Sequence, residues 1–470
     1  MRKRSRLLSV AFTQFALLVA LIVLPTAGQS TSPTPPEPPA SPPYTVLNWI
    51  PHVSEYCPNC GLAAGTTLDS LNQNGLLVSG TKASGTVPMW LCSSGTQCAG
   101  TGYEFAMVGN DPTAKNGSAV TITTRIVPLR VSSGATVFDP ENNDSCSPSK
   151  TPALNMVQNS PMFLHMSNAT LPSPLKPLGP GQYASLFQRA SFWTYINPKA
   201  TSPKPINPGY QVNFQEVLSN AEERDAYTIQ IIDPSIAIDP TMPYQINGNV
   251  QQQTGWCNPI AVIEVNQLDN LLQNTIIPKL KTTSDVTPTN LPIFLLANVA
   301  MYDSTLAGQP CCILGYHNAY LSETTGATAN KLQTYIVVNY DSTNCPTCTK
   351  TTYADAFPTA PDIAALSMVL PGWIDNPTTL NVTPNWSGTI NGVTQCQTAL
   401  EVGFPSGLQS AMLLQAITMP SKVVYHVQDL AFKSWFYRDG VLPNTTPNSS
   451  FNTLYSLFGS VGFHVPAPPC

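Results

Sequence analysis

The residues able to do chemistry in this 470-residue chain are few and scattered. Five histidines stand at 52, 165, 317, 426 and 464, and no two sit at the spacing by which one helix or strand presents a pair of metal ligands. A local metal motif is therefore absent. His317 and His426 could still meet in space, where with Glu401 or Asp375 they would form a relocated site. A serine nucleophile fares no better, because the chain lacks G-x-S-x-G. Gly403-Phe404-Pro405-Ser406-Gly407 puts proline where a nucleophile elbow needs another backbone.

Cysteines are the other reactive class. Twelve of them form an even set, which in an exported chain favours disulfides over free thiols. Cys57-Pro-Asn-Cys60 and Cys345-Pro-Thr-Cys348 have the spacing of a structural zinc site or a redox centre, and equally that of pairs closing tight loops or bonding elsewhere. Cys92 and Cys98 read as another local loop, and Cys470 as a pin for the C-terminus. Cys311 and Cys312 are expected to bond separate partners, since a bridge between neighbours strains the intervening peptide.

Only 10% of the residues are charged and the net charge is −5. No basic stripe exists to neutralise a phosphate backbone, so nucleic acid is excluded as a partner. The N-terminus indicates the compartment. Arg2, Lys3, Arg4 and Arg6 precede an apolar run from Phe15 to Leu24 and then Pro25-Thr26-Ala27-Gly28, the pattern of a secretory signal peptide over 1–28. That run is short for a bilayer span, and no later segment reaches about 18 uninterrupted apolar residues, so no transmembrane segment is expected after cleavage. Residues 29–43, rich in proline, read as an extended linker outside the fold. The expected location is extracellular or at the cell envelope.

The elements that must position any site come next. From Tyr44 to about Tyr210 the chain reads as β-rich, with runs such as Val120 to Val127 broken by Gly, Asn and Pro, and shows no long helical period. Val262 to Leu280 has the apolar spacing of an amphipathic helix. Leu291 to Met301 and Leu332 to Tyr340 read as strands, and a further helix is expected from near Asp362, an acceptable N-cap after Pro361. Pro371 should kink or end that helix. The fold class is α+β.

That last helix has a chemical reading. A zinc hydrolase needs two ligands on one helical face, a carboxylate beside them to take a proton from bound water, and a third ligand further along. Ser367-Met368-Val369-Leu370-Pro371-Gly372-Trp373 can be set against S-H-E-x-x-E-W, which leaves a thioether, an isopropyl group and no side chain at the three chemical positions. None of these can substitute. Met sulfur suits Cu(I) better than Zn(II), and Val369 has no proton to exchange.

Several stretches justify that alignment: Ile126-Val127-Pro128-Leu129, Val137-Phe138-Asp139-Pro140, Gln158 to Phe163 and Phe187 to Trp193 in the first half, and Cys312 to His317, Gln333-Thr334-Tyr335, Trp373-Ile374-Asp375-Asn376-Pro377, Leu400-Glu401-Val402-Gly403 and Tyr425 to Phe432 in the second. In order and number they resemble a group of exported bacterial proteins that look like zincin-type metallopeptidases, over nearly the whole mature chain. Members of the group carry H-E-x-x-E-W-x-D-D-P on the helix and L-E-V-G-D-P downstream. The resemblance implies a β-rich region over 44–215, followed by a zincin-like α+β region over 216–470 with a mixed sheet and an active-site-type helix. It implies too that Met368, Val369, Gly372 and Phe404 are degenerate positions, while Trp373, Asp375, Pro377, Glu401 and Pro405 remain. No zinc or other cofactor is expected.

Trp193, Trp373 and Trp435 lie in apolar runs and read as core, whereas Trp386 is expected in a polar loop and is the candidate for ligand stacking. Asn116, Asn143, Asn168, Asn381, Asn385, Asn444 and Asn448 begin N-x-S/T triplets and serve as markers of surface loops. The expectation is a secreted, disulfide-containing, zincin-like protein without peptidase activity that binds an extracellular protein or glycan or serves as a surface component. The alternatives are a metal-dependent peptidase with relocated ligands and a structural envelope protein.

Overall fold

The computed structural model describes residues between 61 and 464, chiefly 61–74, 85–92, 104–112, 119–192, 209–219, 227–236, 241–253, 256–283, 285–305, 311–322, 331–343, 360–390, 393–399 and 414–431, together with Glu401. The signal-peptide and linker assignments over 1–43, both C-x-x-C pairs, Cys98, Cys470, Trp193, Trp435 and Phe404 lie outside the described residues.

In the order of the chain the strands are β1 (Met89–Cys92), β2 (Phe105–Val108), β3 (Val120–Pro128), β4 (Arg130–Ser133), β5 (Thr136–Phe138), β6 (Val212–Leu218), β7 (Thr228–Ile232), β8 (Gln245–Gln251), β9 (Ile260–Glu264), β10 (Leu291–Ala297), β11 (Val299–Tyr302), β12 (Cys311–Ile313), β13 (Gly315–Ser322), β14 (Lys331–Tyr340), β15 (Val382–Ile390), β16 (Val393–Ala399), β17 (Leu414–Thr418), β18 (Val424–Gln428), β19 (Leu430–Ala431), β20 (Thr453–Ser456) and β21 (Phe463–His464). The helices are α1 (Leu68–Gln73), α2 (Ala153–Gln158), α3 (Tyr183–Ser191), α4 (Val265–Leu271), α5 (Ile277–Thr282) and α6 (Ala364–Asp375). The chain is α+β, with mixed sheets and short helices.

Two sheets organise it. A five-stranded sheet runs β13-β14-β10-β3-β6, and a seven-stranded sheet runs β12-β11-β9-β8-β7-β4-β5. In the first, β14, β10, β3 and β6 pair in parallel and β13 is antiparallel to β14. Parallel strands covered on both faces read as continuous apolar runs, as the wholly buried β10 does. The β3–β10 pairing joins residues from either side of position 215 in one sheet, so the expected division at 215/216 does not separate the sheets.

The chain passes between the sheets at two points. β3 gives way to β4 at Leu129, whose N–H donates to the Leu295 carbonyl at 2.8 Å. β10 gives way to β11 at Asn298, which has φ of 54°. Asparagine tolerates that left-handed backbone better than most residues, and Ser342 N donates to its Oδ1 at 2.8 Å while its Nδ2 reaches Ser342 Oγ at 2.9 Å. The run from Leu291 to Met301, expected as one strand, is therefore two strands in two sheets. Both are apolar, and nothing in that pattern marks the change except Asn298.

Two further expectations are corrected. The region before Tyr210 contains α1, α2 and α3 as well as strands; α1 opens on a capping box between Thr67 and Ser70. At six to nine residues these helices are too short to show a clear period. The helix expected from Val262 starts instead at Val265, because Ile260 to Glu264 pair on both sides as β9. Glu264 caps it, accepting from Gln267 N at 2.7 Å. A π-turn over Leu272–Ile276 links α4 to α5 with helical backbone throughout, so Pro278 lies inside one continuous helical run, just past the π-turn.

Disulfides bind distant and adjacent residues alike. Cys146 joins Cys257, 111 residues away. Cys311 and Cys312 are joined to one another, not to separate partners.

Buried carboxylates support the face of α4. Asp269 accepts from Tyr316 Oη and Asn318 Nδ2 at 3.0 Å each, from Gln273 Nε2 at 3.1 Å, and from Tyr335 Oη. Burial still dominates and pushes its pKa up to about 6, and burial pushes Glu264 up to about 7. Both values lie above those of an unfolded chain, about 3.9 for Asp and 4.3 for Glu. Their contribution is thus fully present below about pH 4 and is lost as pH rises through 6 to 7. Asp233 and Asp239 shift the other way, lowered by hydrogen bonds from Ser235 and Thr241, but they act only on the acid side of that window. Denaturant titration should find the chain more stable at pH 5 than at pH 8, and Asp269→Asn with Glu264→Gln should flatten that dependence. Stability that rises across the same interval would contradict the assignment.

Candidate functional site

The helix that carries Met368, Val369 and Gly372 is α6, and every one of its residues from Ala364 to Asp375 is buried. It packs against β13, β14, β18, β2 and α3. Its composition fits that place: a helix without a polar face must be surrounded. It begins without a side-chain cap on Ile363. Asp362, expected to cap it, has φ of 43° and faces β18 instead, accepting from His426 N at 2.9 Å and lying 2.6 Å from His426 Nδ1. Burial raises the Asp362 pKa against those bonds. Nor does Pro371 end the helix, which runs four residues further and closes with Asn376 N donating to the Gly372 carbonyl at 2.9 Å. Packing on all sides outweighs the lost backbone bond. Ser367 pins the middle, donating to the Ala364 carbonyl at 2.7 Å and accepting from Gln428 N at 2.8 Å.

Met368 and Val369 are fully buried in separate clusters. Met368 shares one with Trp256, Tyr302, Leu314 and the Cys311–Cys312 bridge. Val369 belongs to the main core with Leu366, Trp373 and Ile374. Gly372 is likewise buried. The face that would carry ligands is packed apolar surface.

Polar groups gather past the C-terminal end of α6. Glu401 Oε1 accepts from Asn376 Nδ2 at 2.7 Å and lies 3.3 Å from His317 Nε2, with both ionisable side chains at most 2% exposed. His317 Nδ1 is buried without a hydrogen-bond partner. Asp375 Oδ1 accepts from Gln188 Nε2 on α3. Asn381 ties this end to β2: Ala106 N donates to its Oδ1 at 2.9 Å, and its Nδ2 donates to the Ala106 and Asp375 carbonyls at 2.6 and 2.5 Å. Burial, with Asp375 adding to it, raises the pKa of Tyr210.

The candidate residues therefore divide. His317, Glu401 and Asp375 lie at the C-terminal end of α6, and His426 lies at its N-terminal end with Asp362. Twelve residues at 1.5 Å each put about 18 Å of helix between those ends. His317 and His426 do not share a site. Among the described residues, no three His, Cys, Asp or Glu side chains converge in a way that could hold a metal ion.

No family model, curated protein or solved structure matches the chain. The site has to be read from its own residues.

Trp373 is in the core as expected, fully buried. Trp386 is on β15, opposite Gln397, not in a loop; its side chain is outside the described residues. Asn143 and Asn168 are exposed, but Asn381 is buried at 1% and is no surface marker, because its amide serves three backbone groups. Sequence reasoning missed Gln188, Asn381 and the pairing of Asp362 with His426. For Asp362 a signal was present, a carboxylate immediately before an apolar helix, but it was assigned to the helix itself.

Breaking a buried pair leaves the surviving partner short of a contact. His317→Ala should lower unfolding stability by about 3 kcal/mol, whereas His426→Ala, whose side chain is 35% exposed, should cost about 1 kcal/mol. Urea titration of both variants checks the order; equal or reversed losses would contradict it.

Proposed function

We propose that this chain is an exported, zincin-like protein that has lost zinc binding and peptidase activity, and that it acts outside the cell or at its envelope by binding a protein or glycan. The observation that carries the reading is the packing of α6: the positions set against the two helix ligands and the base hold Met368, Gly372 and Val369, all buried. A catalytic zinc keeps an open coordination position for water, and a helix closed on every side offers none. Glu401 is engaged with Asn376 and His317 instead of facing a metal on the helix.

Four stretches that carry the zincin resemblance meet around this helix, those of Gln188, His317, Glu401 and Gln428: Gln188 contacts Asp375, His317 contacts Glu401, and Gln428 contacts Ser367. Their convergence supports a retained frame. The charged N-terminal run followed by an apolar segment supports export, and the Cys146–Cys257 bridge is consistent with an oxidising compartment.

The test is to express the mature chain under oxidising conditions, measure zinc per molecule after equilibration with the metal, and assay protein hydrolysis with and without a chelator. The expected result is substoichiometric zinc and no chelator-sensitive cleavage. Stoichiometric zinc with cleavage that a chelator abolishes would overturn the reading. Met368→His, Val369→Glu and Gly372→Glu together, with Phe404→Asp, should raise zinc affinity; no gain in a folded variant would count against the zincin alignment.

A further inference from the structure

Away from α6, a solvent-open cleft of about 150 Å³ lies where the chain crosses between the two sheets, lined by the 137–145 segment, Ala153, Asn258, Pro259, Ala297 and Asn298. It sits beyond the C-terminal end of β10, beside the break between β10 and β11. Such ends of parallel strands are where open α/β sheets place ligands. We propose that this cleft binds a neutral polyhydroxyl ligand, a single sugar ring or the terminal unit of a glycan.

Size sets the first limit. The volume is below the roughly 300 Å³ of a pocket for a drug-sized molecule, so a folded protein segment is too large and one ring is the right scale. Charge sets the second. Two carboxylates line the cleft, Asp139 and Asp144, which disfavours an anion. A cation is disfavoured too, because their oxygens are already engaged: Asp139 Oδ1 accepts from Glu141 N at 2.9 Å and its Oδ2 lies 3.3 Å from Arg130 Nε. Asp144 Oδ1 accepts from Cys146 N and Asn258 Nδ2 at 2.9 Å each, and its Oδ2 accepts from Ser147 Oγ at 3.2 Å and from Ser342 Oγ. These bonds build the wall and do not offer metal ligands.

What remains for a ligand is amide chemistry. Asn142 and Asn143 are exposed in the lining, and Asn258, with its Nδ2 committed to Asp144 and Ser342, keeps Oδ1 as an acceptor. Amides donate and accept, which suits hydroxyl groups that do both. Val137, 43% exposed, and Pro259 add apolar surface for the C–H face of a ring. The Cys146–Cys257 bridge fixes the loop carrying Asn142 and Asn143 beside Asn258, so little ordering is left to do on binding. The cleft shares no residue with α6 or with Glu401, and the inference holds whether or not α6 can be made to bind zinc.

The mature, oxidised chain, produced in a host that does not glycosylate Asn143, would be examined by saturation-transfer NMR. The probes are the methyl glycosides of glucose, galactose, mannose and N-acetylglucosamine, with calcium and inorganic phosphate titrated separately by calorimetry. Transfer to at least one glycoside is expected, without calorimetric binding of either ion. Asn142→Ala with Asn143→Ala should weaken that binding about tenfold, the worth of one or two hydrogen bonds, at unchanged melting temperature. Asn258→Leu, close to it in shape, should weaken binding at least tenfold by removing the Oδ1 acceptor. No transfer to any of the four glycosides, wild-type affinity in both variants, or binding of calcium in place of sugar would overturn the proposal.

Discussion

Complete burial of one twelve-residue helix is the constraint on which the rest of this structure depends. An α-helix closed in on all sides has no face on which to keep a polar group unless that group is satisfied, and α6 departs from the rule at Trp373, whose indole Nε1 is buried without a hydrogen-bond partner among the described residues. Its other polar side chains are Ser367, bonded to the Ala364 carbonyl and to Gln428 N, and Asp375, bonded to Gln188. Two hydrophobic clusters meet at this helix, one through Met368 and the other through Val369. A ligand set placed there would have to displace core packing.

The surroundings of the helix are held mainly by isolated polar staples within apolar layers. Asp362 ties the N-terminal end to the β17–β18 hairpin through His426, and Tyr183 Oη donates to the Gln428 carbonyl at 2.7 Å from α3. At the other end Asn376, Glu401 and His317 form a buried chain, and Asn381 brings in β2. Each staple joins segments far apart in sequence.

Much of this was legible in the sequence where period and composition act locally. The strand from Lys331 to Tyr340, the strand over Val120–Pro128 and the helix after Asp362 follow from apolar runs and turn residues. What escaped is non-local. Nothing in Leu291 to Met301 says that its two halves pair in different sheets, because both halves are apolar and only one residue turns the chain. Pro371 reads as a helix breaker on local grounds and is overridden by packing that only the tertiary structure supplies. Asn381 looked like a surface residue because its triplet is a surface motif, and its burial depends on β2, 275 residues away. At the candidate site, the separation of His317 from His426 was not readable, since it is set by the length of α6.

Hydrogen–deuterium exchange of the α6 amides tests the central claim most directly. A helix that is core on every side exchanges only when the whole chain opens. The account predicts that the amides of Met368, Val369, Leu370 and Gly372 rank among the slowest in the protein, at rates unchanged by saturating zinc. Rapid exchange at these positions, or protection that appears only when zinc is added, would contradict it.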